Sequence, residues 1–204
     1  MGTRVLREIT PLGDNDFMYV ADRRKKEFDF PIHQHEIFEM NFVAGASGCR
    51  RVVGDSSEVI GNLDLVLITS PDLEHVWEQH ECISDDIHEV TVQFFLDFES
   101  PTSPFCKNPY KSIYQMLCRA KHGLAFPVEA ILLVYHRIVR LSSIEEGFLA
   151  VQELFSILYE LSKFDNAHEL ASSSFAKVEV ESESKRILKV KNFIDEHYKD
   201  EMTT

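Results

Sequence analysis

The sequence has one long stretch without positive charge, because no Lys or Arg occurs between Val52 and Cys106. The same stretch contains twelve carboxylates, so it accounts for almost all of the formal net charge of −13 on the 204-residue chain. An acidic surface repels phosphate groups and anionic lipid headgroups. This part of the chain is therefore excluded as an extended nucleic-acid-binding or membrane-binding surface.

Signals for disulfides, secretion and membrane insertion are also missing. The four cysteines, Cys49, Cys82, Cys106 and Cys118, are far apart and include no C-x-x-C pair, which is typical of free thiols in a reducing compartment. The N-terminal residues lack the apolar run of a signal peptide, and no apolar stretch approaches the roughly 18 residues that a membrane helix needs. We expect a cytoplasmic protein.

The first half of the chain has the pattern of a β protein. Apolar and polar residues alternate with a period of two in Phe30–Val43 and again in Glu89–Phe98. Many short antiparallel strands at this spacing predict a sandwich or a barrel over residues 1–100. Further short strands are predicted at residues 50–53, 58–60, 64–69 and 75–77.

The apolar period becomes helical after residue 100. Helices are predicted at Asn108–His122, Val128–Leu141 and Glu145–Phe164, within a segment that we bound at 101–164. The last two helices have more apolar surface than one packed face needs, so we expect them to form a dimer. The predicted dimerisation residues are Tyr135, Ile138, Leu154, Leu158 and Leu161.

A polar, Ser-rich stretch, residues 165–184, is predicted to be a linker. It precedes a basic amphipathic helix, Lys185–Tyr198, within residues 185–204. A lone amphipathic helix after a linker has nothing to pack against. We therefore expect that the chain is a piece of a longer protein, cut inside the next domain.

One group of residues has the chemistry of a binding site. His33, His35 and Glu39 share the parity of a strand, on which residues two apart point the same way about 7 Å apart. His75 can reach the same space from a neighbouring strand. Three imidazoles and a carboxylate suit a divalent transition metal. The alternative is that His33 and His35 are ordinary polar residues at a barrel mouth and that His75 caps a turn.

Two segments of the sequence resemble a known family. Phe30–Val43, which contains H-x-H-x-x-x-E, is followed by a Gly-containing turn and by Leu63–Trp77. Together they resemble the cupin sensor domain of AraC/XylS-type transcription regulators. The resemblance implies an α+β fold, in which a cupin-like β-barrel (a double-stranded β-helix) precedes the helical dimerisation segment. It also implies that residues 185–204 are the first helix of a truncated helix-turn-helix DNA-binding domain.

The function implied by the resemblance is not enzymatic. A small effector, for which a sugar is our candidate, would bind in the barrel, and a homodimer would bind DNA through the missing C-terminal domain. No cofactor is required. Trp77 is either a ligand contact or a core aromatic. The predicted effector-binding residues are His33, His35, Glu39, Asn41, His75 and Trp77.

A different class of function uses the same residues. In a metal-dependent cupin enzyme, an isomerase or a dioxygenase, His33, His35, Glu39 and His75 would hold Fe, Mn, Ni or Zn. The sequence favours the sensor, because the linker and the basic terminal helix have no role in a lone enzyme.

Overall fold

The computed structural model describes residues 5–13, 15–100 and 102–172. The rest of the predicted linker and the predicted helix Lys185–Tyr198 lie outside these residues. The strands are β1 Leu6–Arg7, β2 Met18–Lys25, β3 His33–Gln34, β4 Phe38–Ala44, β5 Arg50–Val53, β6 Ser56–Val59, β7 Leu63–Ile68, β8 His75–Glu78, β9 Ile87–Phe94, β10 Leu124–Ala125 and β11 His168–Glu169. The α-helices are α1 Lys111–Arg119, α2 Val128–Arg140 and α3 Gly147–Leu161.

The strands of the described residues form two sheets. The larger sheet has the order β11-β10-β7-β4-β9-β2, and the smaller one has the order β1-β3-β8-β5-β6. All pairs are antiparallel except β1 with β3. A cluster of buried apolar residues from both sheets, including Val66, Ile87, Val53 and Trp77, packs between them. The mixed α+β class predicted from the sequence is confirmed.

The alternation along β4 separates two environments. Phe38, Met40 and Phe42 lie in the main hydrophobic core, where residues of α1, α2 and α3 pack against this face of the larger sheet. Glu39 and Asn41 have the opposite parity, and they line a cavity on the other face. The layers are therefore helices, the larger sheet, and the smaller sheet, with the cavity between the two sheets.

The side chains predicted to form the dimer contact pack within the protein's own core. Ile138, Leu154, Leu158 and Leu161 are fully buried in the main core. Tyr135 is partly buried, and its ring lies 5.4 Å from that of Phe42. These side chains pack the helices onto the sheet, so they do not form an accessible dimer surface. The large apolar residues that α2 and α3 expose are Val128, Leu132, Leu133, Phe148, Leu149 and Tyr159.

The first residues of the predicted linker continue the packed structure. β11 pairs with β10, and Leu170 and Ala171 are buried against the smaller core. In the described part of the chain, no helix combines the length and hydropathy that a membrane span requires.

Candidate functional site

The floor of the cavity is made by polar residues on the larger sheet. In the register of β4 with β9, Glu39 lies opposite Gln93, and Asn41 lies opposite Thr91. All four side chains are buried and line the cavity. Four polar side chains in the interior require hydrogen-bond partners, because an unpaired buried polar group costs about 1–3 kcal/mol. The floor is therefore built for polar contacts.

The three predicted histidines converge above Glu39. His33 and His75 are directly paired across β3 and β8, and their rings lie 4.2 Å apart. His35 Nε2 lies 3.0 Å from Glu39 Oε2, and His75 Nε2 lies 3.6 Å from Glu39 Oε1. The structure thus brings together all four residues that the sequence offers as metal ligands.

The backbone fixes the orientation of each imidazole. His33 Nδ1 lies 2.9 Å from Pro31 O, His35 Nδ1 lies 2.8 Å from Ile37 O, and His75 Nδ1 lies 2.9 Å from Leu73 O. A carbonyl oxygen accepts, so each Nδ1 carries the proton and donates. Nε2 is then the nitrogen that faces the centre of the cluster. This pairing of Nδ1–H with a carbonyl is the usual support for a histidine that binds a metal through Nε2.

Contacts among Glu39 and the three histidines determine how their pKa values shift. Burial alone would raise the pKa of Glu39, but His35 and His75 outweigh burial and hold the pKa well below its usual value. Burial would likewise lower the pKa of His35, but its hydrogen bond to Glu39 raises it. Burial and the neighbouring His75 lower the pKa of His33 to about 4. These directions favour an ionised Glu39 hydrogen-bonded to a protonated His35, beside a His33 that is harder to protonate.

The residues present fit a divalent metal. One ligand atom from each of the four residues lies within 4.8 Å of the others. Bonds of about 2.1 Å place ligand atoms at most about 4.2 Å apart, so a small inward movement of the side chains would complete the set. Among the described residues His75 Nε2 is buried without a hydrogen-bond partner, so a bound ion could satisfy this acceptor.

The cavity extends from this cluster along the sheet and has a volume of about 610 Å³. Two further buried atoms at its polar floor, Asn41 Oδ1 and Gln93 Oε1, have no hydrogen-bond partner among the described residues. Asn41 Nδ2 makes only long contacts of 3.4 Å to Glu39 and Thr91. The floor therefore holds acceptors that the protein itself leaves unpaired.

Trp77 is both a core residue and a wall of the cavity. The side chain is 4% exposed and packs in the smaller core, and the residue also lines the cavity. Its Nε1 donates to Asp64 Oδ2 at 3.0 Å. This hydrogen bond fixes the indole, so only its apolar surface is left for a ligand.

Sequence reasoning missed several residues of the cavity. Glu8, just after β1, accepts from Gln93 Nε2 at 3.3 Å, and burial together with Glu39 raises the pKa of Glu8. Thr91 and Gln93 are two residues apart in the predicted strand Glu89–Phe98, so they lie on the same face. This shared face was the sequence signal that could have identified them. The other missed lining residues include Tyr19, Ala21, Arg23, Lys25, Phe28 and Phe30.

Comparison with known proteins found similarity only to solved structures. No family model and no curated protein matches the chain. A 1.65 Å structure of ToxT from Vibrio cholerae is 16% identical with a TM-score of 0.40, over 78% of this chain and 61% of the ToxT chain. ToxT from strain SCE256 with a bound unsaturated fatty acid is 16% identical with a TM-score of 0.40, over 79% of this chain and 60% of that one.

A third structure is ToxT bound to (E)-4-(8-methylnaphthalen-1-yl)but-3-enoic acid, at 16% identity and a TM-score of 0.39, over 72% of this chain and 58% of that one. The chain thus spans about three fifths of the ToxT chain. ToxT is an AraC-family regulator, which is the family that the sequence resembles.

Proposed function

We propose that the chain is the ligand-sensing region of an AraC/XylS-type transcription regulator, with a cupin-type arrangement of its strands. The observation that supports sensing is the cavity floor, where Asn41 and Gln93 keep buried acceptors without partners. Such groups lower stability unless a ligand satisfies them. The proposal assigns no catalytic role to the cluster. The regulator would act in the cytoplasm.

The chemistry of the cavity favours a small effector with several hydroxyl groups, such as a sugar. A hydroxyl both donates and accepts, so it can satisfy Asn41, Thr91 and Gln93 in turn. The apolar surface of Trp77 can pack against the C–H groups of a sugar ring. His33 and Glu39 line the inner end of the same cavity, and His35 and His75 contact these two residues there. All six predicted effector-binding residues therefore belong to the proposed site.

Replacing Asn41 with leucine tests the sensor. Leucine has nearly the same volume and removes an unpaired buried group, so the free protein should be as stable as the parent or more stable, by up to about 1 kcal/mol. The same change should abolish the rise in melting temperature that an effector causes in a thermal-shift screen of sugars and related metabolites. A stable variant that still responds fully to an effector would contradict the assignment.

Transmission to DNA would pass through a homodimer. Leu132 and Leu133 on α2 are 61% and 52% exposed, and Phe148 at the start of α3 is 77% exposed. The two helices are joined by Arg137, which donates to both oxygens of Glu153 at 2.8 and 3.1 Å. Their exposed apolar residues would meet a second copy. Effector binding would then bias the dimer by a coupling of about 1–3 kcal/mol.

A single charge in the exposed helical face should disrupt this dimer. Leu132→Glu places a carboxylate among apolar contacts, so the dimer dissociation constant should rise at least about tenfold, with little change in melting temperature. Sedimentation velocity over a concentration series measures it. Ile83→Glu is the matched control, because Ile83 is 98% exposed in the loop after β8. A parent protein that is monomeric at high concentration would contradict the interface.

DNA contact belongs, in this proposal, to a C-terminal domain of the AraC type that begins with the predicted helix Lys185–Tyr198. The described residues contain the acidic stretch from Val52 to Cys106, which does not suit a DNA surface.

A metal-dependent cupin enzyme is the second candidate. The observation that favours it is the common orientation of the imidazoles, each with Nδ1 on a carbonyl and Nε2 inward. His33, His35, Glu39 and His75 would hold the ion, which would supply a Lewis-acid position for an isomerase or a dioxygenase.

A further inference from the structure

A run of four basic residues, Arg23–Lys26, stands out in this acidic chain. The run ends β2, the edge strand of the larger sheet. Alternate residues of β2, Ala21, Arg23 and Lys25, line the cavity. The fold thus places three cationic residues, Arg23, Arg24 and Lys25, along a cavity whose opposite end holds His33 and Glu39.

The register gives the distance between the two ends. Arg23 pairs with Glu89 on β9, and Glu89 pairs with Val43 on β4. Val43 is four residues from Glu39, which corresponds to about 13 Å along a strand. Asn41 and Thr91 occupy the row between. A ligand that touched both ends would lie lengthwise over this polar middle row.

The charges at the β2 end do not cancel. Lys25 Nζ lies 2.7 Å from Glu89 Oε2, and the Lys25 side chain is 18% exposed. Arg23 Nη1 lies 3.9 Å from the same oxygen, which is longer than a hydrogen bond. Two cations therefore share one carboxylate, and the Arg23 guanidinium has no hydrogen-bonded acceptor within the described residues.

The neighbouring charged groups of the cavity leave this excess in place. Arg24, next in the run, is already paired, because its Nη1 donates to both oxygens of Asp86 at 2.8 and 2.9 Å. Glu39 and Glu8 lie at the histidine end, where Gln93 donates to both. Asp29 also lines the cavity, from the exposed loop after β2, but among the described residues it forms no ion pair with Arg23. The excess positive charge therefore lies at Arg23, whose side chain is 53% exposed and has only the long ion pair with Glu89.

We infer that the effector is a hydroxylated organic anion, whose oxyanion binds Arg23 and Lys25 while its hydroxyl groups bind Asn41, Thr91 and Gln93. A guanidinium presents paired N–H donors that match a carboxylate or a phosphate. A sugar acid and a sugar phosphate share this chemistry. The inference rests on the proposed function, since it names the ligand class of the same cavity.

The test compares matched anionic and neutral compounds on the full chain. The pairs are D-glucuronate with D-glucose, D-galacturonate with D-galactose, and D-gluconate with D-sorbitol. D-glucose 6-phosphate is added to show whether the site prefers a phosphate or a carboxylate. Melting temperature and the fluorescence of Trp77, the single tryptophan, report binding. At least one anion should bind at least about tenfold more tightly than its neutral partner, because a hydrogen bond to a charged group is stronger than one between neutral groups.

The variants locate the anion. Arg23→Gln should weaken binding of the anion about tenfold and leave any binding of the neutral partner unchanged. Lys26→Gln, which removes an exposed charge of the same run, should change neither. Equal binding of neutral partners, or anion binding that is insensitive to Arg23→Gln, overturns the inference and leaves the sensor in place. If none of these compounds binds, the inferred ligand class is wrong. The sedimentation experiment on Leu132→Glu still tests the proposed regulator independently.

Discussion

Replacing Arg51 with methionine should destabilise the protein by about 3–5 kcal/mol, which is the usual cost of leaving a buried charge without its partner. The Arg51 side chain is 4% exposed and lies between two carboxylates. Its Nη1 donates to Asp64, and its Nη2 donates to Glu58 at 2.5 Å. Asp64 also accepts from Trp77. Without the guanidinium, the buried Asp64 would keep one neutral donor only.

The pH dependence of the variant has a definite sign. Burial raises the pKa of Asp64 even beside Arg51, and loss of the cation should raise it further. A carboxyl whose folded pKa exceeds its unfolded value, about 3.9, gains stability as the pH falls through the folded pKa. The deficit of Arg51→Met relative to the parent should therefore shrink below neutral pH. Urea unfolding at several pH values, followed by Trp77 fluorescence, measures it.

The neighbouring Arg50 provides the matched control. Its ion pair with Glu78 joins side chains that are 43% and 40% exposed, and an exposed pair contributes about 0–1 kcal/mol. Arg50→Met should therefore cost less than about 1 kcal/mol. Arg51→Met combined with Asp64→Leu should recover part of the lost stability, because it removes the orphaned charge. Equal losses from Arg50→Met and Arg51→Met would show that burial of the pair has no energetic consequence.

Periodicity predicted the elements whose two faces differ in polarity. In Phe30–Val43 and Glu89–Phe98 one parity faces the helices and the other faces the cavity, so alternation located both strands and put Glu39 and Asn41 on one face. Parity also placed His33 and His35 together, although β3 ends at Gln34. Short-range geometry was enough to group His33, His35 and Glu39, whereas adding His75 required the expectation of a neighbouring strand.

The sequence patterns did not predict several features that depend on contacts between distant parts of the chain. The face that β2 turns to the cavity contains Arg23 and Lys25, so the strand lacks an apolar alternation. The burial of Arg51 depends on Asp64, thirteen residues away on another sheet. The choice of residues for the dimer surface met a related difficulty. An apolar stripe does not reveal which of its residues the chain's own sheet covers, and Leu154 and Leu158 are covered.

Removing His75 should weaken binding of a divalent metal at least about 100-fold, since even a residue that only supports a ligand contributes about 10–100-fold. His75 Nε2 is buried without a hydrogen bond among the described residues, so it can bind an ion without breaking one. Added Co²⁺ is expected to bind once per chain in the parent. The His75 ring lies 6.3 Å from Trp77, so bound Co²⁺ should quench Trp77 fluorescence.

Two controls separate the metal from the effector. His168→Ala removes an exposed imidazole and should leave Co²⁺ binding unchanged. Asn41→Leu should keep Co²⁺ binding and lose the effector, because the amide is not among the candidate ligands. Quenching that survives His75→Ala would contradict the ligand set.

The metal content of protein purified without added ions decides between the two functions. The sensor needs no resident ion, so mass spectrometry should find clearly less than one transition metal per chain. The Glu39–His35 hydrogen bond of 3.0 Å supports this expectation, because an entering ion must displace the proton that His35 shares with Glu39. Near-stoichiometric metal that disappears in His33→Ala would instead favour the enzyme, with the cluster as its metal centre.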